Sequence, residues 1–421
     1  MEKTRDYKGL WWLPDAPDNQ VAGTLSVEKG KIALETIGVL GASNPLSHFV
    51  GRDSIRYDVI WGVSSESKEI SVFNCYESIS VNTSCPFAVA EYKGQIVAVG
   101  KYIKSLDELG NYDVTAYIDE LTYWFKPNCL HAHWNEQSYS CSADIKEANN
   151  VIVQIEEGCN LKIAGESNFT TSKTGMRVEF EQRTSLNFLF ANPVSIREAN
   201  MKVFLFEQFL SFATLTSVRC DKLLLIDKDK KTDPTENYTI EIFDDSEKER
   251  DNKYERFWDY LFVYDIIKDK FPLVIQKWYA EKELAPIRAH LIDSVNRRRV
   301  FSSVDFLVVV QAVEGYYYRF IKDEPCLKKL LTQLREKFSD IAAIELSDHD
   351  IGCICDSRHH YSHLLPTGKK KNVLDGIELY YLNHKLRKIL LCCMLNFIGF
   401  DNEEINRIFK KSNNSYLRRI E

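Results

Sequence analysis

The chain has 421 residues, of which 44% are hydrophobic and 27% are charged, and these proportions are typical of a soluble globular protein. Its length exceeds one ordinary hydrophobic core and predicts two domains. The formal net charge of −7 excludes a protein that binds nucleic acid through its overall charge. Residues 301–421 carry 18 Lys and Arg against 16 Asp and Glu, a net +2, which leaves −9 for residues 1–300. Contact with a polyanion is therefore expected in the C-terminal part.

The sequence indicates a cytoplasmic protein. The first residues, Met-Glu-Lys-Thr-Arg, are not followed by the apolar stretch of a secretory signal. The longest apolar run, Ile389–Phe400, is too short to span a bilayer. Eleven cysteines without regular spacing indicate reduced thiols rather than a disulfide framework.

The first 190 residues predict β structure, because short runs rich in Val, Ile, Tyr, Phe and Thr recur between Gly, Asn, Asp and Ser. The predicted strands are Val21–Val27, Lys31–Ile37, Tyr57–Val63, Ile70–Tyr76, Phe87–Tyr92, Ile96–Tyr102, Val114–Phe125, Val151–Ile155 and Met176–Phe180. The pair Phe87–Tyr92 and Ile96–Tyr102 is spaced as a hairpin. So many short strands favour a β-sandwich or a curved sheet.

A helix is predicted at Ser195–Leu215, followed by strands at Lys222–Ile226 and Tyr238–Phe243. Two stretches, Asp227–Asn237 and Asp244–Lys253, are rich in charge and in residues that end regular structure. The second stretch predicts the boundary between a β-rich N-terminal domain, residues 1–250, and a C-terminal domain, residues 251–421.

From about residue 268 the apolar spacing of three and four residues predicts helices. They are Phe271–Leu284, Pro286–Asn296, Val304–Ile321, Pro325–Phe338, Asp348–Leu365, Val373–Gly399 and Asn402–Lys411. Short polar connections between them are typical of a helical bundle. The expected fold class is α+β multidomain, a β-rich domain followed by an all-α bundle.

The helix predicted at Asp348–Leu365 carries the residues best suited to chemistry, which lie between Arg358 and His363. Ser347 and the residue three positions later form a capping-box pattern at the start of the helix. Pro366 and Gly368 are expected to end it.

Arg358 lies on the apolar stripe of this helix, four residues after Ile354, so its guanidinium must meet an acid, a ligand or another subunit. His359 and His363 share a face, whereas Arg358 and His363 project about 140° apart. One copy of the helix therefore converges poorly on a single phosphate. Two copies facing each other across a two-fold axis would supply paired Arg and His groups, so a catalytic site is expected to be dimeric.

These residue types suit the cleavage of RNA without a metal. A histidine can take the proton from a ribose 2′-OH or protonate the leaving 5′-oxygen, a role worth about 10²–10⁴-fold in rate. An arginine fork can neutralise the charge that develops on the phosphorus-centred transition state. DNA lacks the 2′-OH, so the expected substrate is RNA.

Two further features are assigned to substrate binding. The lysines Lys369, Lys370 and Lys371 follow the helix directly and are expected to hold flanking phosphates. Glu314, on the predicted helix Val304–Ile321, either pairs with Arg358 and sets its orientation or lies on a solvated face.

The pattern of Arg358, a polar residue at His359 and a final His363 resembles the Arg-x4-6-His signature of the HEPN superfamily. The run Gly9–Pro14 (GLWWLP), with Val21–Leu25 and Ile32–Leu34, is similar to the N-terminal domain of ApeA-type proteins. In those bacterial anti-phage abortive-infection factors a β-rich domain precedes a HEPN domain. The resemblance covers both ends of the chain and the domain order, and the middle only in general character.

The resemblance implies a toxic endoribonuclease that cleaves RNA, with tRNA as the expected target. It implies that the N-terminal domain keeps the enzyme silent until a phage-derived trigger is sensed. The site residues carried over are Arg358, His359 and His363, and we expect His363 to transfer the proton, although the shared face leaves His359 open. No cofactor, metal or membrane partner is expected, and the active form is expected to be a homodimer or a higher even oligomer.

Two other functions remain open. The helical domain is then a non-catalytic HEPN module that binds RNA or a partner as a regulator, or the β domain is the functional part of an interaction protein. The residues contain no Walker loop, dinucleotide-binding glycine pattern or nucleophile elbow.

Two zinc sites and one aromatic cluster are weighed as alternatives. The first zinc set is Cys353, Cys355, His359 and His363, and the second is Cys129, His131, His133 and Cys141, where alternate residues of a strand would share a face. The aromatic cluster of Trp11, Trp12, Trp61 and Trp124 is interpreted as β-domain core, with a ligand-sensing surface as the alternative.

Overall fold

A computed structural model describes residues 5–28, 30–41, 55–79, 89–135, 138–144, 149–172, 174, 176–233, 236–245, 259–296, 303–321, 326–366 and 368–412. The predicted domain boundary at residue 250 lies outside these residues, as do the first two residues of the predicted strand Phe87–Tyr92.

The described residues form the strands β1 (Arg5–Trp12), β2 (Val21–Glu28), β3 (Lys31–Ile37), β4 (Arg56–Ser64), β5 (Glu69–Ile79), β6 (Val89–Gly94), β7 (Ile96–Val99), β8 (Leu109–Gly110), β9 (Tyr112–Tyr117), β10 (Leu130–Trp134), β11 (Tyr139–Ala143), β12 (Asn150–Glu156), β13 (Cys159–Thr171), β14 (Val178–Phe190), β15 (Val194–Ser195), β16 (Lys222–Asp233) and β17 (Glu236–Asp244). The helices are α1 (Asp119–Phe125), α2 (Ile196–Thr214), α3 (Tyr264–Ile267), α4 (Phe271–Ala280), α5 (Ala285–Asn296), α6 (Ser303–Phe320), α7 (Leu327–Lys337), α8 (Asp348–His363), α9 (Gly376–Ile398) and α10 (Asn402–Lys411), with a 3₁₀ turn at Lys282–Leu284.

Thirteen of these strands join in one sheet, in the order β12-β13-β14-β9-β16-β17-β7-β5-β4-β1-β2-β3-β6. Strand β6 also pairs with β5, so that β1 to β6 close into a six-stranded barrel. Closure leaves these six strands without a free edge in the ring. The prediction of a β-rich N-terminal region followed by a helical region is confirmed, and the β part is a curved sheet rather than a sandwich.

The barrel core follows from the alternation of apolar and polar residues along its strands, as in β3, where every second residue is buried. Trp11 lies fully buried inside the barrel, and its ring lies so close to Gly62 that a Cβ there would approach it to 2.2 Å. Trp12 and Trp124 are also buried, and the partly buried Trp61 donates its indole N–H to the Ile103 carbonyl. The interpretation of these tryptophans as core is therefore confirmed.

The predicted hairpin of Phe87–Tyr92 and Ile96–Tyr102 is wrong. Strands β6 and β7 run in the same direction and pair antiparallel with successive parts of β5. The Gln95 N–H between them donates to the Phe73 carbonyl of β5, so the chain continues along β5 instead of turning back. Pairing with the distant β3 and β17 on the other sides of β6 and β7 outweighs the short sequence separation.

Two other predictions need correction. The predicted strand Val114–Phe125 ends at Tyr117, and its second half is α1, whose acidic first turn favours a helix N-terminus. The charged stretch Asp227–Asn237 is not a break, because β16 continues to Asp233 and pairs with β17 in an irregular register.

Helix α2 and helix α4 share one aromatic core with the open part of the sheet. The Trp278 ring of α4 stacks on Phe212 of α2 at 5.8 Å and meets Phe209 edge-on at 5.6 Å. The buried Trp278 indole donates to the Leu205 carbonyl at 2.8 Å, and the Tyr279 hydroxyl donates to the Lys202 carbonyl at 2.8 Å. Helix α4 is therefore fixed to α2 by two directional hydrogen bonds as well as by apolar burial.

The opposite end of α4 is tied to the helical bundle. Lys270 forms a 2.6 Å ion pair with Glu404 of α10 and donates to the carbonyl of Gly399. Gly399 ends α9 with a φ of 114°, a conformation that L side chains rarely adopt. One helix thus contacts both the β-rich region and the bundle.

Each of the seven helices predicted after residue 268 is found, with ends shifted by a few residues. A buried ion pair joins α6 to α9, with Arg387 and Asp305 2.6 Å apart, and Asn383 donates to the same carboxylate. Removing either partner of a buried ion pair leaves the other charge buried without compensation, which strongly destabilises the fold. The Arg387–Asp305 pair therefore constrains how α6 packs against α9.

No described helix combines the length and apolarity needed to cross a membrane. The ten cysteines in the described ranges are all free thiols.

We expect Trp278→Ala to lower the free energy of unfolding by about 3–5 kcal/mol, because it empties a buried aromatic site and leaves the Leu205 carbonyl without its donor. Chemical denaturation measures the effect. The matched control is Trp134→Ala, a tryptophan that is 75% exposed, for which a change within about 0.5 kcal/mol is expected. Equal effects of the two substitutions would contradict the shared core.

Candidate functional site

Helix α8 begins at the predicted capping box. The Ser347 hydroxyl accepts from the Asp350 N–H at 3.1 Å, and the Asp350 carboxylate accepts from the Ser347 N–H at 2.8 Å. Asp350 also forms a 2.9 Å ion pair with Lys385 of α9, which fixes the start of α8 against that helix. Burial alone would raise the pKa of Asp350, but the hydrogen bonds from Ser347 and Lys385 lower it below its ordinary value.

The helix ends two residues before the predicted end. Leu364 follows it in the left-handed conformation, with a φ of 46°, and its N–H donates to the His360 carbonyl. A leucine in this conformation is strained. The abrupt end leaves His363 in the last turn, where its side chain is exposed.

Arg358 meets an acid, which is one of the three partners that its position on the apolar stripe predicts. Its Nη2 lies 3.4 Å from Glu314 Oε2 of α6. The Glu314 side chain is only 13% exposed, so the alternative of a solvated face is wrong, whereas the Arg358 side chain remains 37% exposed. The pair holds the guanidinium at the α6–α8 interface and keeps part of it open to solvent.

His359 and His363 share a face, as predicted. Their ring centroids lie 4.8 Å apart, edge to face. The pKa of His359 is lowered because its ring is partly shielded from water and because Lys370, His363, Arg358 and Lys369 place positive charge around it. The lowered pKa favours the neutral imidazole, the form that can accept a proton.

The loop after α8 folds back onto the helix. The Leu374 N–H donates to the buried Ser357 hydroxyl at 3.1 Å, and the Tyr361 hydroxyl donates to the Leu374 carbonyl at 2.9 Å. Asp356 accepts from the backbone and side chain of Asn372. The sequence reading missed these anchors, although Ser357, a polar residue three positions after the apolar Ile354, was the available signal.

This folded loop decides where the three lysines lie. Lys370 is 3.7 Å from Asp356, while Lys369 and Lys371 are exposed. Lys369 and Lys370 are close enough to His359 to act on its pKa. The structure therefore brings Lys369 and Lys370 near the histidine face of α8.

Large apolar side chains are exposed beside this part of the bundle. Leu364 is 85% exposed, and Ile377 and Tyr381, one helical turn apart at the start of α9, are 50% and 43% exposed. Ile377 and Tyr381 share one face of α9, and Leu364 follows the end of α8.

Neither zinc set converges. Cys353 is buried and contacts His349 rather than His359 or His363. In the β10–β11 pair, Cys141 lies opposite Ala132 and so projects from the other face of the ribbon than His131 and His133. Within the ranges that the structure describes, no group of three or more His, Cys, Asp or Glu residues is placed to hold a metal ion.

Comparison with known families matches two segments. Residues 6–278 match the family model described as ApeA N-terminal domain 1, and residues 307–404 match the model described as Apea-like HEPN. The second segment contains all of α8, Glu314 and the loop that carries Lys369, Lys370 and Lys371, here called the lysine loop. No curated protein and no solved structure matches the chain.

The capping carboxylate generates a pH prediction. Asp350→Asn is expected to cost about 1–2 kcal/mol at pH 7, because it removes a charged hydrogen-bond acceptor. The lowered folded-state pKa means that this stabilisation is complete above the unfolded Asp pKa of about 3.9 and is lost as pH falls through the lower folded value. Denaturation of both proteins between pH 7 and 2 should show the difference shrinking only at the acid end.

The control is Asp348→Asn in the same first turn, where the carboxylate is 88% exposed in its pair with Arg335. We expect a smaller effect there. A difference for Asp350→Asn that stays constant down to pH 2 would refute the linkage.

Proposed function

Because the chain belongs to the family with ApeA N-terminal domain 1 followed by an Apea-like HEPN domain, we propose that it is a metal-independent HEPN endoribonuclease acting as an abortive-infection effector against phage. The proposed substrate is RNA, with tRNA as the expected target. The N-terminal region restrains the enzyme until it senses a phage-derived trigger.

One observation carries this proposal. Arg358, His359 and His363 occupy the last turns of α8, inside the segment that matches the HEPN family model. Arg358 pairs with Glu314 through one nitrogen of a guanidinium that has five N–H donors, so further donors can bind a phosphate. RNA cleavage by 2′-OH attack requires a group that transfers protons and a cation that stabilises the developing negative charge. The solvent-accessible histidines can serve as the first and Arg358 as the second.

In the proposed reaction, a histidine takes the proton of the ribose 2′-OH, and the 2′-oxygen attacks the adjacent phosphorus. The bond to the 5′-oxygen breaks, and a second group, acting as a general acid, supplies the proton that this leaving oxygen needs. The products are a 2′,3′-cyclic phosphate and a free 5′-hydroxyl. Arg358 stabilises the charge on the non-bridging oxygens.

We assign the base to His363, the more exposed ring, with His359 as its neighbour. The lowered pKa of His359 favours its neutral form, which suits it to share or take over this step. Lys369 and Lys371 hold flanking phosphates, and Lys370 does so in competition with Asp356.

A homodimer accounts for a site whose groups diverge. Arg358 faces α6, whereas His359 and His363 share another face of the helix, so one chain does not direct all of them at one phosphate. We propose that a second copy covers the exposed Leu364, Ile377 and Tyr381 and completes the site.

The central test measures RNA cleavage and growth inhibition on overproduction. Arg358→Ala and His363→Ala should each lower cleavage at least about 10²-fold and abolish toxicity. The matched controls keep activity. Arg319→Ala removes an arginine of similar exposure, paired with Glu283 on the same bundle, and His349→Ala removes a histidine from the other end of α8.

Chelation with EDTA should leave cleavage intact. Protection from phage that survives both Arg358→Ala and His363→Ala would favour the non-catalytic regulator instead. Comparing His359→Ala with His363→Ala identifies the base, since loss of the base should cost the larger factor in kcat.

The composite site makes a second prediction. If each site takes Arg358 from one subunit and His363 from the other, mixing the two inactive variants should restore about a quarter of wild-type activity. Half of the randomly exchanged dimers are then mixed, and each mixed dimer has one intact site. No recovery despite subunit exchange, verified by differently tagged chains, would place both residues in the same subunit's site.

A further inference from the structure

The N-terminal region contains a large groove, whose lining residues all precede the helices of the bundle in the sequence. Helix α2 forms one wall, and the barrel end and strands β16 and β17 form the other. Its volume is about 1060 Å³, at the upper end of the size of small-molecule and cofactor sites. The site proposed on α8 contributes no residue to it.

Each wall carries an aromatic ring with an arginine beside it. On the helix side the Arg219 guanidinium lies 6.0 Å from the centre of the Phe204 ring. On the sheet side the Arg5 guanidinium lies 5.1 Å from the centre of the Phe243 ring. The Phe204 ring is 38% exposed, so part of it faces the groove that it lines.

The arginines keep donors for a further anion. Arg5 pairs with Glu241 at 2.7 Å, Arg197 with Asp107 at 2.7 Å and Arg219 with Glu207 at 3.3 Å. Each of these pairings engages only part of a guanidinium that has five N–H groups. Lys222 adds a fourth cation to the lining.

The groove also lacks a uniform charge. Glu28, Asp221 and Asp244 line it together with the cations, and Leu223 and Ile242 give it an apolar floor. Glu207 is buried, and its carboxylate is occupied by Arg219 and by the Cys220 N–H at 2.6 Å. A suitable ligand therefore has a flat apolar body for the rings and a compact negative charge for the arginines.

We propose that the groove binds a free nucleotide. The base lies against the aromatic walls, and the phosphates meet the arginines. An RNA strand is disfavoured because residues 1–300 carry a net charge of −9 and because the lining has as many carboxylates as cations, so it offers a polyanion no continuous basic surface. An acidic peptide would meet the arginines but would leave the rings unused.

The test is photolabelling of the full chain with 8-azido-ATP, followed by mapping of the labelled peptide. Label is expected in the peptides that contain Phe204 or Phe243, and unlabelled mononucleotides should compete for it. Label confined to α8, label that nothing competes away, or competition by a single-stranded RNA or a polyglutamate peptide as good as by nucleotides would each overturn the proposal.

Variants measured by equilibrium dialysis with radiolabelled ATP give an independent reading. Phe204→Ala and Arg219→Lys should each weaken binding at least about tenfold, since they remove a stacking surface and a planar fork. Arg219→Lys keeps the positive charge beside Glu207, so it serves if Phe204→Ala does not fold.

The matched controls are Phe169→Ala, an exposed ring elsewhere on the sheet, and Arg183→Lys, whose guanidinium lies over Tyr117 and pairs with Glu166 outside the groove. Both should bind like wild type, and so should Arg358→Ala. Unchanged affinity of both groove variants would refute the site without bearing on RNA cleavage, and loss of cleavage in Arg358→Ala would not affect it.

Discussion

The burial of Trp278 is the interaction on which the architecture depends. Its ring lies against Phe209 and Phe212 and its indole is bonded to the Leu205 carbonyl, so α4 cannot leave α2 without exposing aromatic surface and an unpaired polar group. The same helix is held to the bundle through Lys270. A single apolar core therefore extends from the sheet through α2 and α4 into the helices that carry the site.

Within that bundle, ion pairs hold the helices around the candidate site, and the side chains at the end of α8 are exposed. The Arg387–Asp305 pair fixes α6 against α9, and the Asp350–Lys385 pair fixes the start of α8 against the same helix. Glu314 on α6 can then meet Arg358 on α8 at a defined place. His363 lies in the exposed last turn of α8, and Lys369 in the loop that follows is exposed too.

The sequence predicts what local physics determines. Ser347 and Asp350 mark a helix start through their own hydrogen bonds, and the charge of Arg358 on an apolar stripe requires a partner, which is Glu314. It fails where distant strands decide, since β6 pairs with β3 and β5 rather than with its neighbour. The return of the lysine loop onto α8 was not predicted either. The position of Ser357 after the apolar Ile354 indicates that its hydroxyl has a partner, but it does not identify the Leu374 N–H as that partner.

The double attachment of α4 has a thermodynamic consequence for ApeA-type proteins built in this way. If the β-rich region and the bundle open together, any molecule bound to one of them also suppresses global opening of the other. A ligand at a hundred times its dissociation constant adds about 2.7 kcal/mol to the native state. The slowest-exchanging amides of α8 would then exchange more slowly when a ligand is bound to the β-rich region, although they do not contact that ligand.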